Sequence, residues 1–388
     1  MATVTRGLPK RPHLDVPKRE ARELLSDWEA GRREAWERIR GRHPKFKTFA
    51  TGAGATTVVK LADAQLVIAR EYGFGSWPEL KRRIEASDVA EELQRAIGAD
   101  DCGTVVRLLR ATPEMLHLPL RSRTWGPPMS YAATLGRLEI VRAVAELGAT
   151  DYQHAFDRAI LTGHIECARW LHAHGAKLVP GIVMGACETL NPDGLQFLAD
   201  VHAPFTDQKG NQLAPLAHVL QTYSRDRARK HRVLEIFAAQ GYAFPDTPMM
   251  AFHRGRLDLL AGQLDRDRGL LERRFALTEI YPPGMGCSKE GGMHGTPLAG
   301  TTLLHLAIDF QEDEIFALLL ARGADVNARA AVDADGFGGH TPLFHIAVGS
   351  RNDAVMARAL LERGASPEQR ASLRKFLDWR EKPAWREA

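Results

Sequence analysis

Two stretches near the C-terminal end repeat one another: TTLLHLAIDFQEDEIFALLLARGADVNAR (301–329) and HTPLFHIAVGSRNDAVMARALLERGASPEQR (340–370). Each reads as a helix opener, a short apolar helix, a turn, a Leu-rich second helix and a Gly-Ala pair. Weaker copies occupy 127–149 and 154–176, and degenerate ones 89–116, 177–203, 212–241 and 246–272. A helix pair of this size cannot bury its apolar face alone. Stacking on neighbours supplies the missing partner, so the chain is constrained to an all-α array of about eight helix-turn-helix units.

The residues at fixed places in the units carry a resemblance. Thr341-Pro342-Leu343, Thr302-Leu303-Leu304-His305-Leu306-Ala307 and Gly323-Ala324-Asp325-Val326-Asn327 resemble the ankyrin repeat. Thr341 suits an N-cap and Pro342 the first helical turn, where its missing N–H costs nothing. Gly323 and Gly364 permit the left-handed conformation that ends a second helix. His305 is expected to hydrogen-bond within the opening turn rather than to do chemistry. The segment LADAQLVIAREYGFGSW (61–77) further resembles a group of bacterial ankyrin-repeat domain-containing proteins with such a helical segment ahead of the array. The implied fold is an all-α ankyrin-repeat solenoid, partly degenerate, with long finger insertions and a small helical N-terminal module.

The division expected is a helical module at 1–86, an array at 87–370, and a tail at 371–388. Within the module, helices are expected after Pro17, around Trp36 and Ile39, over 61–72, and from a capping box of Ser76 and Glu79. In the tail, Leu373, Phe376, Leu377 and Trp379 suggest a capping helix; a truncated end is the alternative. Charge is polarised. Residues 1–85 hold 18 Lys/Arg against 11 Asp/Glu, whereas the remainder holds 34 against 37. Such a surface attracts nucleic acid or an acidic protein. Lys81, Arg82 and Arg83 are read either as complementing a helix C-terminus or as part of a phosphate-facing patch with Arg40, Arg42, Lys45 and Lys47. No apolar run reaches the ~18 residues of a membrane span. The four cysteines lie far apart, without a disulfide framework or CxxC pair, and point to a reducing, cytoplasmic compartment.

Two insertions interrupt the array, at 279–300 and 330–340. They occupy the finger position, so adjacent repeats are expected to project them to the same concave side. A shorter finger, 120–131, adds Arg121, Arg123 and Trp125. The insertions gather Glu279, Tyr281, Cys287, His294, Asp333, Asp335, Phe337 and His340, with His345 one turn beyond. Carboxylates, imidazoles and aromatics beside glycines are the material of a site; mutual hydrogen bonding is the plainer reading. The histidines lack a diagnostic metal spacing, no phosphate-binding G-x-x-x-x-G-K-[ST] occurs, and no cofactor is expected.

The leading expectation is a monomeric recognition protein that binds a macromolecular partner through its concave face and fingers. The alternative is a DNA-acting enzyme, most concretely a glycosylase. There Asp335, Asp333 or Glu279 would activate water, with His340 and His294 nearby. Trp125, Tyr281 or Phe337 would stack on a flipped base, and Arg121, Arg123 and Lys81–Arg83 would grip phosphates.

Overall fold

The computed structural model describes residues 6–9, 12–47, 58–120, 124–289, 297–348, 353–373 and the backbone of 386–387. The chain divides into two compact units, Met1–Ala132 with Arg137–Asp151, and Ala133–Gly136 with Tyr152–Ala388.

In the first unit, α1 (Asp15–Glu29), α2 (Arg33–Arg42) and α3 (Leu61–Glu71) pack around Leu24, Ile39, Val67 and Ile68. Of the apolar residues that mark these helices in the sequence, Leu24, Ile39, Ala64, Val67 and Ile68 are buried, Leu25, Trp28 and Trp36 are partly buried, and Leu61 is exposed. One carboxylate enters this core. Glu71 receives two hydrogen bonds from Arg38, both 2.9 Å, and one from Arg6 at 2.7 Å. Burial alone would raise its pKa; the Arg38 hydrogen bonds and the two guanidinium charges outweigh that and hold it below the usual carboxylate range.

The next helix corrects an expectation. α4 runs unbroken from Trp77 to Gly98, across positions 86–87. Ala90, Leu93, Ala96 and Ile97 continue the buried stripe of Leu80 and Ile84, and that periodicity overrides the weak helix formers Ser87 and Asp88. Lys81, Arg82 and Arg83 therefore sit near the helix N-terminus, not its C-terminus. The macrodipole does not favour cations there. All three are exposed, and Lys81 has an i,i+4 ion pair with Glu85 at 3.5 Å. Ser76 does cap the helix, accepting from the Glu79 N–H, while Glu79 reaches back to the Gly75 N–H.

From α4 onward the helices come in pairs: α4 with α5 (Cys102–Ala111), then α6 (Pro128–Thr134) with α7 (Leu138–Glu146). The second unit continues with α8 (Tyr152–Thr162) and α9 (Ile165–Ala173), α10 (Val183–Glu188) and α11 (Pro192–Asp200), and α12 (Leu213–Leu220) and α13 (Arg227–Ala239). After these come α14 (Pro248–His253) and α15 (Leu257–Arg266). The short α16 (Leu277–Ile280) leads into the first insertion, followed by α17 (Leu303–Phe310) with α18 (Asp313–Ala321) and α19 (Pro342–Val348) with α20 (Ala354–Leu361). The eight pairs match the eight sequence units, the first with its opening helix extended back to Trp77, and the fold is an all-α repeat solenoid.

One backbone device recurs at the turn inside a pair. The first helix ends on a left-handed residue, and the N–H beyond it returns to an alanine carbonyl: His164 to Ala159, Asn191 to Ala186, Arg256 to Ala251, Glu312 to Ala307. Glycine is required at 163 for two reasons. Its φ is +80°, and a Cβ there would lie 2.5 Å from Asn191 Nδ2 of the following pair. Asn191 meanwhile caps α11 through the Gly194 N–H. One side chain thus starts its own helix and seats its repeat on the previous turn.

The bases of the two insertions are joined. Phe275 bridges Thr301, the Ala331 N–H donates to the Gly300 carbonyl at 2.9 Å, and the Arg274 guanidinium donates to the Arg329 carbonyl. The second insertion closes on itself through a bridge between Val332 and Gly338, and Gly338 also pairs with Ser372. Strand β1 (Arg370–Ala371) pairs antiparallel with β2 (Arg386–Glu387). The expected capping helix lies largely outside the described residues.

Candidate functional site

The chemistry-bearing groups of the second unit converge below the first insertion, and most of them were not singled out in the sequence. Helix α13 has 13 residues, against nine in α9, α11 and α18. Helix α14 has only six. The long helix and the loop before it therefore reach past the short one to α17. Arg225 in that loop pairs with Asp309 of α17 at 2.7 Å and donates to the Asp309 carbonyl at 2.8 Å. Arg227 donates to the Gln311 carbonyl, and His231 meets Glu312 at 2.9 Å.

Lys230 follows from the same extension. It lies on the stripe continued by Val233, Leu234 and Phe237, so the helix carries it inward to 3% exposure. Its ammonium is 2.9 Å from His253 Nδ1 and 4.6 Å from the centre of the Phe310 ring. His253 Nε2 lies 2.7 Å from the Ile280 carbonyl. A carbonyl only accepts, so Nε2 carries the proton and Nδ1 offers its lone pair to Lys230. Three donors on Lys230 thus meet one hydrogen-bond acceptor among the described residues. Burial is the main cause that pulls its pKa down to about 7; the carboxylate of Glu312 opposes, and Arg225 adds to the depression.

The first insertion roofs this centre. Tyr281 is 1% exposed and stacks on His253, their ring centres 5.9 Å apart. Cys287 is buried too, and burial pushes its thiol up to about 11. The Gln221 amide grips Ser288 in both directions: Nε2 donates to the Ser288 carbonyl at 3.1 Å, and the Ser288 N–H donates to Oε1 at 3.0 Å.

Three buried imidazoles form a second cluster beside Asp309. The ring centres of His305, His340 and His345 are separated by 5.4, 6.1 and 5.5 Å. His305 has the structural role expected: Nδ1 meets the Thr302 hydroxyl at 2.9 Å and Nε2 donates to the His340 carbonyl at 3.0 Å. His340 is 1% exposed, and burial, then the His345 charge, pulls its pKa down to about 3. It is a poor proton carrier near neutrality, which corrects its assignment beside a catalytic carboxylate. His345 lies 3.4 Å from Asp309. No group of three or more His, Cys, Asp or Glu able to hold a metal occurs among the described residues.

The other expected site residues fall differently. Asp333 Oδ1 accepts the N–H groups of Asp335 and Phe337, at 3.0 and 2.9 Å, and so shapes its own loop. Asp335 is exposed at that loop's tip. Glu279 accepts the Ala276 N–H to start α16 and pairs with Arg273. The carboxylates serve two separate local turns, and none of these bonds joins them into a water-activating pair. Tyr281 and Phe337 are 1% and 4% exposed, committed to the interior rather than offered to a base. Trp125 is partly buried against Tyr131. Arg121, Arg123 and His294 lie outside the described residues.

The family model for the ankyrin repeat matches residues 299–331 and 338–372. Helices α17–α20 lie inside the matched segments. Among solved structures it is similar to the human ASB11 ankyrin repeat domain, at 20% identity and a TM-score of 0.32, covering 62% of this chain and 99% of that one. No curated protein matches it. Among the described residues no helix is long and apolar enough to cross a membrane.

Proposed function

We propose that this chain is a recognition protein that binds a protein partner through its inserted fingers. The observation that carries the reading is the loop at 331–335. Its five residues are all exposed, Val332 to 51%. The Asp333 carboxylate and the Val332–Gly338 bridge hold it in a fixed turn. An apolar side chain flanked by carboxylates on a preformed turn suits a partner with a basic rim around an apolar depression. The buried thiols Cys187 and Cys287 fit action in a reducing, cytoplasmic compartment, and we take the acting form to be a monomer. The DNA-glycosylase alternative loses two of its three stacking residues to the interior, Tyr281 and Phe337.

A photoreactive amino acid at position 332 of the full chain tests the reading. Its expected product is a discrete crosslinked protein, absent when the same group is placed at exposed Val179 of another repeat. Equal crosslinking from both positions, or none from 332, would contradict it.

A further inference from the structure

We propose that residues 280–289 are a strap that closes over Lys230 in its neutral form and is released when that amine takes up a proton. This goes beyond the partner reading and does not depend on it.

The strap's hold is specific and divided. At its start the Ile280 carbonyl fixes His253, and through it the lone pair facing Lys230. In the middle Tyr281 covers the His253 ring. At its end Ser288 is gripped by Gln221, and Gly286, at φ +82°, lies so close to Leu213 that a Cβ would be 2.8 Å from that side chain. Beyond Ile280, the last residue of α16, regular structure inside the strap is limited to a three-residue 3-10 turn, Pro283–Met285. Side-chain docking therefore does most of the holding.

Beneath the strap, closure and protonation compete. A charged Lys230 faces Arg225 from the loop before α13 and donates one hydrogen bond, to α14's His253. Its compensating charges are second-hand: Asp309 of α17 is already paired with Arg225 and neighbours His345 of α19, and Glu312, before α18, is paired with His231 on Lys230's own helix. From the strap come Tyr281 and Cys287, both neutral when buried. A closed strap thus seals an ammonium with two donors idle, whereas an open one admits water to them. The shift of Lys230 from 10.5 to about 7 sets the working range. Between those values the open form is protonated and the closed form is not, so release rises as pH falls and levels off below about 7.

The test is thiol labelling of the folded full chain, read peptide by peptide. Protection is the labelling rate of each cysteine in urea-unfolded chain divided by its rate in folded chain at the same pH. Cys287 protection is expected to fall between pH 9 and pH 7, by up to about tenfold per pH unit for one coupled proton. Cys187, buried in α10, is reached only by wider unfolding, so its protection is expected to stay well above that of Cys287 at every pH. Lys230→Met should remove the pH dependence, and Gln221→Ala should lower Cys287 protection across the whole range without changing Cys187. Cys287 protection that ignores pH, that equals that of Cys187, or that is untouched by Gln221→Ala would overturn the proposal. The Gln221→Ala arm stands even if Lys230→Met does not fold.

Discussion

Replacing Lys230 by methionine keeps the length and apolar stem of the side chain and removes its titration. In the folded chain Lys230 loses its proton near pH 7 rather than 10.5. Between those values the unfolded chain binds one more proton than the folded one, so native stability rises with pH. The slope approaches ~1.4 kcal/mol per pH unit, which gives the wild type about 2 kcal/mol between pH 7.5 and 9. The buried neutral His305 and His340 finish contributing below this window. The buried Cys187 and Cys287 thiols, held above the 9.0 of the unfolded chain, lower stability near its upper end, but equally in both chains, so they cancel in the difference between the two curves. Substitution also breaks the bond to His253 Nδ1, which costs about 1–3 kcal/mol, but that loss is constant across the window. The slope is therefore the quantity to read. Urea unfolding of the two chains at half-unit pH steps should give a wild-type curve that rises relative to that of Lys230→Met by about 2 kcal/mol across the window. Parallel curves would refute the argument that burial leaves this amine neutral.

Below neutrality the sign for the histidines is the same but the window differs. His340 goes from about 3 folded to about 6.5 unfolded, so stability should fall as pH drops from 6.5 toward 4, and His340→Phe should flatten that fall in urea titrations. In the first unit, Glu71→Ala leaves Arg38 and Arg6 without their shared carboxylate; a loss of about 2–4 kcal/mol is expected at pH 7. That loss should shrink below about pH 4, as the depressed Glu71 pKa is approached in wild type. Gly163→Ala places a side chain at positive φ and against Asn191; thermal unfolding should show about 1–3 kcal/mol of destabilisation, with part recovered by adding Asn191→Ala. A Gly323→Ala control, at a similar φ of +85° but with nothing within 4 Å of its Cβ, should cost less.

The helix pairs were legible because three local signals agree at each unit: an apolar stripe, an opener such as Thr341-Pro342, and a left-handed glycine such as Gly323. Where signals conflict, the reading slipped. The stripe of α4 continues through Ser87 and Asp88, so the module boundary drawn at 86 divides a single helix. The buried centre was harder to see. Asp333 and Asp335 drew attention as a carboxylate pair in a glycine-rich loop, yet a turn uses Asp333 as a backbone acceptor. Lys230 drew none, although the spacing 230, 233, 234, 237 puts it on the inward stripe. A lysine in that register is the available signal. Its partners Arg225 and Asp309 are 84 positions apart, joined because α13 is long and α14 short, and only relative helix length hints at this. Tyr281 and Phe337 show the complementary error, since an aromatic residue in an insertion fills space as readily as it offers a surface.

The partner-binding account is tested most directly by the affinity of the protein captured from position 332, measured by calorimetry against wild type and Asp335→Lys at two salt concentrations. The account predicts affinity at least about tenfold weaker, about 1.4 kcal/mol, with unchanged thermal unfolding and a difference that narrows at higher salt. Equal affinity for both chains would place the contact elsewhere and contradict recognition through this finger.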